Sequence, residues 1–340
     1  SIFGKDDELG EIKRYDIENS EGMSFSVIDY GAYLVSCKVP DKRGKIEEIS
    51  LGYDKLSSYL TDSAYLGAAV GRYANRIKNG CFHIDGQEYQ VTKNHGENHL
   101  HGGEKGFSKQ LWKGEVFQDD EEAGVVFSRL SPDGEEGYPG NLEVNIRYSL
   151  NESNEFSMYY EAETDKACPV NLTNHAYWNL NGPDSDSVLD HELQLFCPSY
   201  LEVDEKGIPT GTLRPVAAGV MDFSGGKLIG QDIGNCAIGY DHCYVVDSYA
   251  DELAAVAKVR SPVSGRVMHI SSTMPGVQFY TANHLNEVKG RGGRIYSPHS
   301  AFCLETQHFP DAMNHPDFPD PVLRPGQNYR HRTVHSFSTE

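Results

Sequence analysis

The segment LEVNIRYSL at positions 142–150 decides the fold class. Apolar and polar residues alternate along it without a break, which is the period of a β-strand with one buried face. After the polar stretch at positions 151–155 the alternation resumes and runs from Phe156 to Ala162. We therefore predict a β-hairpin in which residues 151–155 form a five-residue connection.

A tighter hairpin is predicted on the N-terminal side of this segment, at residues 81–92. Asp85 and Gly86 form a two-residue turn signal there, between two short runs of alternating residues. Clusters of Gly, Pro, Asp and Asn separate further strand-like runs, namely Val125–Phe127, Leu193–Phe196, Val277–Tyr280 and Tyr329–Phe337. Many strands at short spacing, without intervening long helices, indicate a mainly antiparallel sandwich or barrel.

Helical signals are brief. Residues 53–60 are a candidate for one or two helical turns, with Asp54 as the candidate N-cap. The proline-rich stretch from Pro310 to Pro325 is short and precedes a strand-like run, so we interpret it as an ordered loop that leads into a last strand. We find no internal repeat, low-complexity tract or linker, and we expect one domain over residues 1–340.

The charge balance excludes several classes of partner. The chain has 340 residues, with 30 Lys and Arg against 50 Asp and Glu, and its formal net charge is −20 at pH 7. Nucleic acids need clustered basic side chains, and anionic membrane surfaces attract positive charge, so neither is an expected partner. A phosphorylated substrate is disfavoured more weakly. No apolar run approaches the roughly 18 residues of a membrane span.

The cysteines indicate a reducing compartment. There are seven, an odd number, and none forms a C-x-x-C pair, so their spacing fits neither a zinc ribbon nor a disulfide framework. We interpret them as reduced packing residues of a cytoplasmic protein. The first residues, SIFGKDD, lack the basic-then-apolar pattern of a secretory leader. The oligomeric state is left open between monomer and homodimer.

Four segments carry more polar, aromatic and glycine residues than a plain strand or turn requires. They are GRYANRIKNG at 71–80, NHGENHLHGG at 94–103, NLTNHAYWNLNG at 171–182 and FCLETQHFPD at 302–311, with GYDHCY at 239–244 and PGVQFYT at 275–281 in support. Each allows a structural interpretation, because a histidine beside Asn and Tyr in a strand is usually a satisfied core residue. Glu305 is harder to explain in that way, since a carboxylate in a strand-like run is rarely buried without a partner or a function.

The histidines of the second segment also allow a metal-site interpretation. His99 and His101 have the spacing of the ligand pair of cupin-type sites, which need a glutamate a few residues further on. Only two glycines separate Glu104 from His101, one residue short of that pattern, and the helical H-E-x-x-H arrangement is absent as well. We predict neither a metal nor another cofactor.

Without a metal, the candidate residues suit a neutral polyol. Amide, carboxylate and guanidinium groups make directional hydrogen bonds to adjacent hydroxyls, and an aromatic face covers the apolar side of a sugar ring. One carboxylate and one imidazole can together provide general base and general acid catalysis. Opening a hemiacetal needs such a pair and no nucleophile, hydride carrier or metal.

The chain resembles the aldose 1-epimerases, or galactose mutarotases, over nearly its whole length. The matching segments occur in family order: LGYDKLSSYL, GRYANRI, HLHGG with GFSKQLW, SPDGEEGYPGNL, TNHAYWNL, EVDEKGIPTG, GYDH, PGVQFYT, FCLETQHFPDA and VLRPG. The resemblance implies a large antiparallel β-sandwich with an open sugar-binding cleft and few short helices. The departures are small, such as Cys243 where the family more often has Asn and the extra Asp320-Pro321 before Val322.

The resemblance also implies roles for seven residues. Glu305 is expected to be the base for the C1 hydroxyl and His175 the acid for the ring oxygen. His101, Asp241, Asn75, Arg76 and Gln278 are expected to bind the sugar. The implied reaction interconverts the α and β anomers of a free hexose such as galactose or glucose through ring opening, rotation about C1–C2 and reclosure.

Three other interpretations stay open at this point. The first is an epimerase for hexose 6-phosphates, which would need additional basic groups. The second is a sugar-binding protein without catalytic activity on the same scaffold. The third is the metal-dependent β-sandwich enzyme considered above.

Overall fold

The computed structural model describes residues 1–236, 239–247 and 252–340. It is 47% strand and 7% helix, which confirms the all-β prediction. The α-helix α1 spans Leu56–Leu60, and short 3₁₀ segments occur at Lys78–Gly80, Phe107–Lys109, Glu135–Gly137, Ile233–Asn235, Arg291–Gly293 and Ala312–Asn314. None of the helices in the described residues has the length and apolar character needed to cross a membrane.

Twenty-nine strands follow one another along the described chain. The first ten are β1 (Ile2–Asp6), β2 (Gly10–Glu18), β3 (Ser24–Ile28), β4 (Leu34–Pro40), β5 (Ile46–Glu48), β6 (Ala69–Val70), β7 (Arg76–Ile77), β8 (Cys81–Ile84), β9 (Gln87–Gln90) and β10 (His99–Leu100). The next ten are β11 (Lys113–Gln118), β12 (Glu122–Ser131), β13 (Leu142–Asn151), β14 (Glu155–Thr164), β15 (Cys168–Pro169), β16 (Thr173–Asn174), β17 (Glu192–Leu195), β18 (Ser199–Val203), β19 (Pro209–Pro215) and β20 (Lys227–Leu228). The last nine are β21 (Asp241–Val245), β22 (Ala254–Arg260), β23 (Arg266–Ser272), β24 (Gly276–Tyr280), β25 (Val288–Lys289), β26 (Ile295–Tyr296), β27 (Cys303–Gln307), β28 (Val322–Leu323) and β29 (Tyr329–Thr339).

Three large sheets organise these strands. A nine-stranded sheet has the order β11-β12-β13-β14-β29-β23-β22-β17-β20, and two five-stranded sheets have the orders β1-β2-β3-β4-β5 and β19-β18-β21-β24-β27. Neighbouring strands within the three sheets run antiparallel. The last strand, β29, lies in the middle of the nine-stranded sheet, so the C-terminal segment is central to the fold.

The predicted hairpin of β13 and β14 forms part of the core. Ile146 lies opposite Tyr160 in the register, and both side chains are buried. Phe156 packs against Phe25 of β3, with ring centroids 4.8 Å apart. Burying a side chain of this size stabilises the fold by about 1.5–3 kcal/mol. The buried side chains that the alternation predicted therefore pack the nine-stranded sheet against the N-terminal five-stranded sheet.

Two local predictions were wrong. The connection of this hairpin has three residues, 152–154, because the side chain of Asn151 accepts the amides of Ser153 and Glu155 at 2.9 and 3.0 Å and keeps the strand ends paired closely. Asp54 does not cap α1, whose N-cap position is Lys55 without a side-chain hydrogen bond. The Asp54 carboxylate instead accepts the amide of Gly292 at 2.7 Å.

The sheet that contains β24 and β27 has one face in the core and one face away from it. Val277, Phe279 and Leu304 belong to the main hydrophobic core. Because successive side chains of a strand point to opposite faces, Gln278 and Glu305 lie on the other face, where they are direct partners in the register. This second face carries the candidate site.

Candidate active site

Three neighbouring strands bring acidic and amide groups together on this face. Gln278 of β24 lies opposite Glu305 of β27 on one side and opposite Cys243 of β21 on the other. Asp241, two residues before Cys243, shares the face and accepts a 2.6 Å hydrogen bond from Gln278 Nε2. The structure therefore joins three of the predicted residues into one polar surface.

Glu305 is 2% exposed, and this burial decides its chemistry. Its Oε1 lies 3.7 Å from His175 Nε2, and its Oε2 has no hydrogen-bond partner among the described residues. Burial, followed by the negative charge of Asp241, raises the pKa of Glu305 well above its usual range, while Arg76 acts in the opposite direction. A buried carboxyl group with so little compensation is unfavourable for folding, which points to a functional role.

His175 directly follows β16 and is held by the backbone around it. Its amide donates to Ala68 O at 2.9 Å, and its carbonyl accepts the amide of Gly67 at 3.0 Å. The ring stacks between Tyr65 and Tyr177, with centroid distances of 6.0 and 4.9 Å. Burial lowers the pKa of His175 to about 4, although the carbonyl of its own residue acts to raise it. The imidazole is thus neutral near pH 7 in the unliganded site.

Asn75 and His101 are connected by two hydrogen bonds whose donors are backbone amides. The Asn75 amide donates to His101 Nδ1 at 3.2 Å, and the His101 amide donates to Asn75 O at 3.0 Å. Because Nδ1 accepts, the proton of the neutral ring resides on Nε2. Burial, and next to it the neighbouring His175, keeps the pKa of His101 well below its usual range. His101 is therefore a neutral N–H donor, 5.3 Å from His175 between ring centroids.

Arg76 extends the site towards solvent. Its Nη1 donates to Asn75 Oδ1 at 3.4 Å, and its Nε is buried without a hydrogen-bond partner in the part of the chain that the structure describes. Gly207, in the connection of β18 and β19, lies against the guanidinium, where a Cβ would come within 3.2 Å of Cζ. Gly207 also has a φ of +73°, which favours glycine. This explains why the segment EVDEKGIPTG belongs to the site although it supplies no acid or base.

The site becomes progressively more exposed from its floor to its rim. Glu305 and His175 are buried, Arg76 and Asp241 are half-buried, and His95 is exposed. Partial burial of the His95 ring, followed by the charge of Arg76, lowers the pKa of His95, whereas Asp241 acts to raise it. His95 thus lies at the rim, close to the two charged groups. The acid–base pair thus lies at the buried end of this gradient, and residues able to bind hydroxyl groups lie nearer to solvent.

Other candidates from the same sequence segments are structural. Both ring nitrogens of His99 are used, Nδ1 by Thr92 O and Nε2 by the Tyr138 hydroxyl, each at 2.6 Å. His99 cannot then ligate a metal, which removes the cupin-type interpretation. The guanidinium of Arg72 is buried and bonded mainly to backbone carbonyls, and Trp178 is 1% exposed in the core.

One other cluster has the residue types of a metal site. Ligand atoms of His101, His175 and Glu305 all lie within 4.8 Å of one another. However, Nδ1 of His101 already accepts the Asn75 amide, so ligation through Nε2 would cost either this hydrogen bond, by moving the ring proton to Nδ1, or the ring proton itself. Two ligands are too few for a stable zinc site. The donor set therefore fits hydrogen bonding better than metal binding.

Sequence reasoning missed two contributors. Tyr65 contacts both histidines of the candidate site, with ring centroids 4.8 Å from His101 and 6.0 Å from His175. Cys303, which the sequence suggested only as a packing residue, places Sγ 3.6 Å from His175 Nδ1. Cys303 lies two residues before Glu305, so both side chains share one face of β27. This two-residue spacing in a predicted strand was the only sequence signal that could have indicated a role for Cys303.

Two cavities lie apart from this site. They have volumes of about 260 and 210 Å³ and share Glu48 and Arg291 in their walls. The Arg291 guanidinium pairs with Glu48 at 2.9 Å, and Arg294 of the larger cavity pairs with Asp186 at 2.8 Å. These charges compensate one another, in contrast to the isolated carboxyl group of Glu305.

Comparisons with known proteins find similarity over nearly the whole chain. The family model described as aldose 1-epimerase matches residues 13–336. Galactose mutarotase from Rattus norvegicus is 42% identical over 331 residues, which are 97% of this chain and 95% of that protein. Aldose 1-epimerase from Escherichia coli K12 is 38% identical and covers 95% of this chain and 94% of its own length.

Solved structures match over the same extent. A GalM/aldose epimerase homologue from C. elegans superposes with a TM-score of 0.89 at 33% identity and covers 96% of this chain and 99% of its own. Galactose 1-epimerase from Lactobacillus acidophilus gives a TM-score of 0.87 at 27% identity and covers 100% of this chain and 98% of its own. The similarity is therefore not confined to the site but includes the whole arrangement of sheets.

Proposed function

The chain belongs to the aldose 1-epimerase family, and from this premise we propose that it is an isomerase that interconverts the α and β anomers of a free hexose such as galactose or glucose. The observation that carries the proposal is the buried pair of Glu305 and His175, whose facing atoms are 3.7 Å apart. The two groups come from distant parts of the chain and meet at this site. Ring opening needs one group that takes a proton and one that gives it.

In the proposed mechanism the pair shares one proton. With the proton on His175, the Glu305 carboxylate removes the proton of the C1 hydroxyl while His175 Nε2 protonates the ring oxygen, and the ring opens to the aldehyde. Rotation about C1–C2 presents the other face of the carbonyl. Reclosure returns both protons, so the enzyme ends in its initial state and no cofactor is consumed.

The electrostatics of the site influence where the proton shared by Glu305 and His175 resides. Burial raises the pKa of Glu305 and lowers the pKa of His175 to about 4, so burial favours the neutral pair, with the shared proton on Glu305, over the ion pair. That state is the one which closes the ring of a bound open-chain sugar. The ion pair, which opens the ring, has the same number of protons, and transfer between the two states needs no exchange with solvent.

The proposed sugar-binding residues offer hydrogen-bonding atoms that the protein leaves unused. Buried atoms without a partner among the described residues include Arg76 Nε, Gln278 Oε1 and Glu305 Oε2. The second carboxylate oxygen of Asp241 is a further acceptor beside Gln278, and Asn75 contributes its side-chain NH2 group, since its Oδ1 already accepts from Arg76. Sugar hydroxyls would satisfy these atoms, and His101 would donate its Nε2–H to the ring oxygen.

Polarimetry of freshly dissolved α-D-galactose and α-D-glucose tests the proposal. We expect the wild type to accelerate the approach to the anomeric equilibrium, and Glu305→Gln to bind sugar without doing so. A protein that binds sugar but leaves the rate unchanged would be a non-catalytic binding protein. Acceleration with glucose 6-phosphate in clear preference to the free hexoses would identify the phosphate-specific alternative.

A further inference from the structure

A buried thiol lies behind the imidazole of the proposed acid. Cys303 is fully buried and shares its face of β27 with Glu305. Its Sγ lies 3.6 Å from His175 Nδ1, within the range of a hydrogen bond to sulfur. His175 therefore faces Glu305 with one nitrogen and Cys303 with the other.

The proposed reaction determines which nitrogen keeps its proton. His175 gives and takes a proton at Nε2, the atom that faces Glu305. Nδ1 must then stay protonated during the whole cycle, because an imidazole that lost both protons would be an inaccessible anion near neutral pH. An Nδ1–H needs an acceptor, and the partner within hydrogen-bond range of Nδ1 among the described residues is the sulfur of Cys303. The carbonyl of His175 itself, which also favours a protonated ring, accepts the Gly67 amide.

The sulfur is a neutral acceptor. Burial, and then the negative charges of Glu305 and Asp241, raise the pKa of Cys303 well above its usual range, so the group is a thiol and not a thiolate. In Ser-His-Asp sites a carboxylate occupies the corresponding position and stabilises the imidazolium. A neutral sulfur orients the ring without that stabilisation, and the imidazolium stays a strong acid.

We propose that Cys303 is a positioning residue for the anomer exchange: its sulfur accepts the Nδ1–H of His175 and thereby reserves Nε2 for the ring oxygen of the sugar. The inference rests on the proposed function, because it assigns the direction of a hydrogen bond from the proton cycle of His175. It goes beyond that function in giving a task to a residue to which the proposed mechanism assigns no step.

Three variants separate positioning from packing. Cys303→Ala removes the acceptor, Cys303→Ser replaces it with a hydroxyl, and Cys37→Ala deletes another fully buried thiol in the core as the matched control. We expect kcat of Cys303→Ala to fall about tenfold, the upper size of one ordinary lost hydrogen bond, with KM unchanged within about twofold. Cys303→Ser should recover kcat to within about threefold of the wild type, and Cys37→Ala should keep both constants.

The nitrogen NMR spectrum of histidine-labelled wild type tests the same point without any change to Cys303. With His175 identified by its loss in His175→Asn, its resonances at pH 7 should show a protonated Nδ1 and an unprotonated Nε2. A protonated Nε2 would overturn the proposal, as would a Cys303→Ala variant whose kcat equals that of Cys37→Ala. Full activity of His175→Asn would instead contradict the proposed function, so the two failures are distinguishable.

Discussion

Two buried carboxyl groups in this protein have opposite surroundings. Asp62 lies in the loop after α1, and its oxygens accept four hydrogen bonds, from the hydroxyls of Tyr33 and Tyr53 and the amides of Ala64 and Leu66. Glu305 is equally buried, yet one of its oxygens has no partner among the described residues and the other has only His175 at 3.7 Å.

The contrast shows how to separate a structural from a functional carboxyl group. Burial is the first cause that raises the pKa of both residues. At Asp62, four donors act against it, whereas at Glu305 the charge of Asp241 adds to it and only Arg76 opposes it. Fully bonded, Asp62 orders the loop that carries Tyr65, while Glu305 keeps its bonding capacity for another molecule.

The largest expected effect is the loss of catalysis in Glu305→Gln. The amide cannot take the C1 proton, so we expect kcat to fall by roughly 10²–10⁴-fold, the usual contribution of a general base. Polarimetry of freshly dissolved α-D-galactose measures the rate, and calorimetry should still detect sugar binding. A rate close to that of the wild type would remove Glu305 from the mechanism.

Asp62→Asn should lower the stability of the protein and have little effect on kcat. Whichever oxygen it replaces, the new amide nitrogen faces one backbone amide, which cannot turn away, and one tyrosine hydroxyl. At least one hydrogen bond is therefore lost, at a cost of about 1–3 kcal/mol in the free energy of unfolding. Urea unfolding measures this change. We expect kcat to fall by less than about tenfold, since Asp62 acts on the site only through the loop with Tyr65. Unchanged stability would show that these bonds contribute nothing net.

The pH dependence of the free energy of unfolding tests whether the pKa of Glu305 is raised in the folded protein. The pKa of Glu305 in the folded protein is above its ordinary value of 4.5, so the folded state holds this proton more tightly than the unfolded state. Its contribution to stability is therefore present at low pH and is lost as pH rises from 4.5 through the raised pKa. The Glu305→Gln variant does not show this pH-dependent loss of stability, because its amide does not titrate.

Urea unfolding of both proteins at several pH values checks the sign. Relative to the wild type, Glu305→Gln should become more stable by about 1.4 kcal/mol for each pH unit within that window. A difference that stays constant between pH 5 and pH 8 would contradict a raised pKa.

The smallest expected effect is that of metal removal. Since Nδ1 of His101 accepts the Asn75 amide, the three-residue cluster around the free oxygen of Glu305 lacks a complete ligand set. Prolonged treatment with EDTA should leave kcat within about twofold of the untreated value. The control is EDTA-treated protein to which Zn²⁺ is returned, and a loss of activity that Zn²⁺ restores would make Glu305 a metal ligand.

The sequence predicted more of the fold than of the site. Alternation at 142–150 indicates a strand because the side-chain period is a local property of the backbone. The length of the next connection depended on a local detail, the side chain of Asn151, and was predicted wrongly. His99 and His101, two residues apart with similar surroundings in sequence, have unrelated tasks because their partners come from different parts of the chain.

By itself, the amino-acid sequence determined the all-β class, the family and which residue types are available for acid–base chemistry, since these depend on local periodicity and on motifs in order. The tertiary structure alone decided that Glu305 meets His175, that both are buried, and that Cys303 stands behind the imidazole. Proton affinity depends on the distance to other charges and to water, and these distances exist only once strands far apart in sequence have packed together.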